Sequence, residues 1–129
     1  MTTELVSCGH YLSTEFINKQ TGVFKCPECG TKIDDFVIDY RDKSLTHFEF
    51  SENVNWSKIR IVNLYDNQLT SFTIPNTLTS LKELSLSYNQ LTSLILPETL
   101  ISLQYINLSY NKLTSFIIPE TLTSLRELC

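Results

Sequence analysis

The chain has 129 residues, is 42% hydrophobic and carries a formal net charge of −4 at pH 7. This balance fits a folded domain, or a solenoid with one small module, and excludes a disordered polyanion. Residues 1–58 hold nine acids against six Lys or Arg, and residues 59–129 hold five against four. Neither half offers the basic stripe that phosphate neutralisation requires, which argues against nucleic acid as a partner.

No apolar run approaches the roughly 20 residues a membrane helix needs, so no membrane partner is expected. The start MTTELVSCGHYL lacks a basic segment followed by an apolar core and predicts no signal peptide. The expected location is cytoplasmic or otherwise intracellular.

Three of the four cysteines and one of the two histidines cluster as Cys8-Gly9-His10 and Cys26-Pro27-Glu28-Cys29. In a reducing compartment such a cluster points to metal rather than to disulfides. Cys8, His10, Cys26 and Cys29 make a donor set of three thiolates and one imidazole. That set predicts one closed, four-coordinate structural zinc ion. Residues 13–20 between the pairs read as a short helix, with Ser13 as its cap and Thr21-Gly22 as its end. Residues 1–37 are therefore expected to form a small zinc-binding module.

The order Cys-Gly-His, helix, Cys-Pro-x-Cys and then apolar Ile33 resembles the later half of RING and U-box domains over residues 5–33. The resemblance implies that the two ligand pairs share one ion and that the module recruits a ubiquitin-conjugating enzyme. Pro27 matches the proline of that family's partner-binding shoulder. Two departures lean against an enzyme. Only seven residues precede Cys8, where the family has a gripping loop, and Gly30 stands where many members carry a basic residue. A zinc-ribbon-like knuckle is the alternative for CPECG.

Residues 38–58 read as a degenerate first repeat that caps the solenoid. Ile38-x-Tyr40 precedes Leu45-Thr46-x-Phe48 as Leu84-x-Leu86 precedes Leu91-Thr92-x-Leu94. Lys43 takes the place of the repeated asparagine, Trp56 is expected to cover the end, and His47 to lie at the surface.

From residue 59 the chain repeats with a period of 22, marked by Asn67, Asn89 and Asn111. Each block carries L-x-x-L-x-L-x-x-N-x-L, as in Leu81, Leu84, Leu86, Asn89 and Leu91. A fixed period of this size signals stacked units, none able to bury its apolar face alone. The frame resembles leucine-rich repeat proteins and covers residues 59–129, the last copy being incomplete. The fold class expected is a repeat solenoid with short parallel strands on the concave face. The convex side, with Pro75, Pro97 and Pro119 at one fixed position, is expected to be mostly extended or 3₁₀. Leu125 and Leu128 open a further frame, so the repeats are expected to run on past residue 129.

No nucleophile with a paired histidine and no phosphate-cradling glycine run is visible among only three glycines. The reading is a protein-protein interaction module that binds a macromolecular partner on its concave face. The outward positions Tyr65, Asp66, Glu83, Ser85, Tyr88, Tyr105, Asn107 and Tyr110 are the candidate contact residues, with the tyrosines as anchors. Two alternatives stand beside it. One is a ubiquitin-ligase-like protein whose repeats select the substrate, and the other is a scaffold whose zinc is purely structural.

Overall fold

The computed structural model describes residues 37–50 and 56–129 and, ahead of them, four isolated strands at 3–5, 11–13, 23–25 and 32–34. Strand β1 (Thr3–Leu5) pairs antiparallel with β2 (Tyr11–Ser13), and β3 (Val23–Lys25) with β4 (Lys32–Asp34). Ser13 is the last residue of β2. The predicted helix beyond it lies outside the described residues, as do Cys8, His10, Cys26 and Cys29.

The rest is one parallel sheet in chain order: β5 (Val37–Asp39), β6 (Ile61–Asn63), β7 (Glu83–Ser85), β8 (Tyr105–Asn107) and β9 (Glu127–Leu128). Each strand is short because the alternation that drives it is short. In β7 only Leu84 turns inward, between outward Glu83 and Ser85. The register aligns Ile38, Val62, Leu84, Ile106 and Leu128 as one row across the sheet. Behind it stand further rows, such as Leu64, Leu86 and Leu108, and Leu69 and Leu91, all buried. Burying a leucine is worth about 2 kcal/mol, and stacking supplies it coil after coil.

The 24-residue step from Ile38 to Val62 makes the first coil two residues longer than the others. Its interior is aromatic. Phe50 meets Trp56 edge-on at 5.3 Å and Phe48 at 5.1 Å, and Phe48 in turn lies 5.7 Å from Tyr40. His47 is exposed and pairs with Glu49 at 3.2 Å.

No helix, α or 3₁₀, occurs among the described residues. The expected 3₁₀ content reduces to single turns on the convex side. The carbonyls of Pro75, Pro97 and Pro119 accept from the amides of Leu78, Leu100 and Leu122. The carbonyls of those leucines accept from Leu81, Leu103 and Leu125. Each proline ring fixes φ where the turn begins, and a coil of 22 residues leaves no length for more. Among the described residues no helix is long and apolar enough to cross a membrane.

Candidate functional site

The repeated asparagines position everything on the concave side. Asn89 is buried, and its Nδ2 donates to the carbonyls of Leu64 and Leu86, both at 3.0 Å, while its Oδ1 accepts from the Leu69 amide at 3.0 Å. Asn111 does the same toward Leu86, Leu108 and Leu91. Asn67 reaches back to Tyr40, Lys43 and Leu45 of the first coil. One side chain thus satisfies inward-facing groups on two coils, as an amide with both donors and acceptors can.

The residue before each asparagine has a left-handed backbone: φ is 53° at Asp66, 55° at Tyr88 and 56° at Tyr110, and 56° at Asp42 in the first coil. Aspartate tolerates this conformation. For a bulky residue it costs about 1 kcal/mol or more. Hydrogen bonds to both neighbouring coils hold Tyr88 there. Its amide donates to the Ser109 carbonyl at 3.0 Å, and its carbonyl accepts from the Asn67 amide at 3.2 Å.

That geometry lifts the rings out of the sheet into a ladder. Tyr88 and Tyr110 stack at 4.2 Å with 16° between planes, and Tyr65 meets Tyr88 edge-on at 5.3 Å. All three are exposed, Tyr65 by 36%, Tyr88 by 43% and Tyr110 by 70%. The Tyr88 phenol is held above the usual tyrosine value of 10.0, first by its side-chain hydrogen bond with Tyr110 and then by burial and the nearby Tyr110, Tyr65 and Asp66. Neighbouring groups that favour the neutral phenol oppose ionisation there.

Beside the ladder runs a groove of about 500 Å³, lined by Arg41, Asp42, Asn63, Tyr65, Ser85, Ser87, Tyr88, Asn107, Ser109 and Tyr110. Five of the eight candidate contact residues meet in it: Tyr65, Ser85, Tyr88, Asn107 and Tyr110. Asp66, Glu83 and Tyr105 stand outside its lining, although all three lie on the same face. Asn107 is partly committed within its own coil. Its Oδ1 accepts from the Ser109 amide at 3.0 Å and its Nδ2 donates to the Tyr105 hydroxyl at 3.1 Å. Ser87, two residues beyond outward Ser85, is only 3% exposed. It lines the groove together with Tyr65, Tyr88 and Tyr110.

Arg41 and Asp42 line the groove but escaped the sequence reading of the contact surface. Counting back from Lys43 as the stand-in for asparagine would have found them, since they fall where Tyr65 and Asp66 do in the next coil. Arg41 pairs with Asp39 at 3.1 Å. Among the described residues no group of three or more His, Cys, Asp or Glu side chains could hold a metal ion.

The model of the BspA type leucine rich repeat region matches residues 13–129 in six copies, beginning within the segment assigned from sequence to a zinc module. A solved structure of a leucine-rich repeat protein from Leptospira interrogans is 34% identical, over 62% of this chain and 21% of that one, with a TM-score of 0.45. The chain thus spans about a fifth of the length of that protein. No curated protein matches the chain.

Proposed function

Since the chain belongs to the BspA-type leucine-rich repeat family, whose repeats generally mediate protein-protein interaction, we propose that its concave groove is a protein-binding surface. The observation that carries the reading is the make-up of the groove: three tyrosines, three serines, two asparagines and one arginine among ten lining residues. Tyrosine with serine and asparagine is the mixture that antibody loops use, rigid amphipathic anchors among adaptable polar groups. Shallow grooves of this polarity suit a macromolecule better than a small apolar ligand. The test is a double substitution, Tyr88→Ala with Tyr110→Ala, against a partner recovered by cross-linking. Affinity should fall at least about tenfold while the thermal midpoint stays near that of the parent. Unchanged affinity would place the site elsewhere.

A second reading concerns residues 1–37, in an intracellular, reducing setting. One structural zinc ion is held by Cys8, His10, Cys26 and Cys29. The strand pairs favour it. The β1–β2 pair closes at Leu5 and Tyr11 and the β3–β4 pair at Lys25 and Lys32, so each ligand pair lies in the chain between the two strands of a hairpin. Three thiolates and an imidazole suit zinc, which would supply folding energy and no reaction. Metal analysis of the purified chain should find one equivalent of zinc, lost in Cys26→Ser. Well under one equivalent in the parent would end this reading. Recruitment of a ubiquitin-conjugating enzyme, as against a purely scaffolding role, is decided by autoubiquitination with a panel of such enzymes.

A further inference from the structure

The charges on the concave face are placed unevenly, and no ion pair of Asp42 or Asp66 occurs among the described residues. Four of the five left-handed positions, those just before the repeated asparagine or Lys43 in its place, form a ridge across successive coils: Asp42, Asp66, Tyr88 and Tyr110, all exposed. Two carboxylates sit side by side in this ridge, an arrangement that like-charge repulsion disfavours between neighbouring strands. The groove's own cation does not relieve it, because the Arg41 guanidinium is engaged by Asp39 at 3.1 Å. Lys43 and Lys112 follow the two ends of the ridge in the chain. Around its middle, residues 65–68 and 87–90, there is no basic residue. The opposite rim is different, since Lys82 and Arg126 there are followed directly by Glu83 and Glu127.

Aromatic rings continue the carboxylate pair. Tyr88 and Tyr110 stack on each other and both stay exposed, Tyr110 the more so. A guanidinium is the group that suits such a neighbourhood, since it stacks on an aromatic face while its N–H fork reaches a carboxylate. An anionic or purely apolar segment would leave the carboxylate pair desolvated and uncompensated.

We propose that the concave groove takes a basic segment of a protein partner, with arginine or lysine side chains seated on the Asp42–Asp66–Tyr88–Tyr110 ridge. The proposal rests on the groove being the protein-binding surface and names the chemistry of what enters it.

The test is calorimetric titration of the full chain with a short oligo-arginine peptide, an oligo-glutamate peptide and a neutral Ser/Asn peptide. Oligo-arginine should bind, and more weakly as salt rises. Its affinity should fall about tenfold both in Asp42→Asn with Asp66→Asn and in Tyr88→Ser with Tyr110→Ser. Glu98→Gln with Glu120→Gln, two exposed acids of the convex side, should leave it unchanged. Equal binding of oligo-glutamate, undiminished binding in the Asp42/Asp66 variant, or an equal loss in the Glu98/Glu120 variant would overturn the proposal. Ser85→Arg, which fills the groove, separates this failure from failure of the wider reading. A cross-linked partner lost in Ser85→Arg but kept in the Asp42/Asp66 variant leaves the groove as the site and removes the basic segment. A partner kept by both variants removes both.

Discussion

At the scale of single residues, asparagine and tyrosine at adjacent positions do opposite things to stability. Asn89 spends its whole amide on groups of two coils. Asn89→Ala leaves the Leu69 amide and the carbonyls of Leu64 and Leu86 without that partner in a buried setting. Denaturant unfolding should show a loss of about 3 kcal/mol. Tyr88 next door sits at a positive φ that asparagine accepts and a β-branched residue does not. Tyr88→Asn and Tyr88→Val both lose the ring stack, so their difference reports the backbone alone. The asparagine variant should be the more stable by about 1 kcal/mol or more. The phenol of Tyr88 adds a pH dependence. Its value is raised in the folded state, so its contribution is fully present below pH 10 and is lost as pH rises through the folded value. Absorbance titration should show one phenol ionising later than the others, and Tyr110→Phe should bring it back toward the ordinary range.

At the scale of the coil, the period of 22 carried most of the information. The inward row Val62, Leu84 and Ile106, the asparagine positions and the turning prolines all follow from spacing, because every coil solves the same packing problem with the same residues. Leu84→Ala removes a side chain buried on every side, and should cost about 3 kcal/mol in the same unfolding measurement. What spacing could not convey was pairing between coils. Tyr65 occupies the frame position of Ser87 and Ser109, one before that of Tyr88, yet its ring meets Tyr88 diagonally. The contribution of Arg41 and Asp42 likewise comes from a coil whose asparagine is a lysine. The groove was half legible for that reason: the outward positions can be counted, but which of them share a wall depends on side-chain reach across coils. The proposed zinc ligands rest on donor chemistry and spacing, and the strand pairs around them add the closeness of each pair's flanks.

At the scale of the whole molecule, stability should be graded rather than uniform, since each coil contacts only its neighbours. Hydrogen exchange should be slowest at the amides of Leu84–Leu86, where coils lie on both sides. It should be faster near Glu127 and Leu128, both of which are exposed. The asparagine ties all run one way, from a coil to the one before it. The Leu45 amide waits for Asn67, the Leu69 amide for Asn89 and the Leu91 amide for Asn111, whereas the carbonyls of Leu64 and Leu86 also accept from the asparagine of their own coil. On a ribosome this gives assembly a direction. A newly emerged coil keeps that one amide open until the next asparagine, one period later, follows it out. The expectation is that translation seals each such amide with a lag of one repeat, and that a pause in synthesis just before an asparagine codon leaves the preceding coil's amide open.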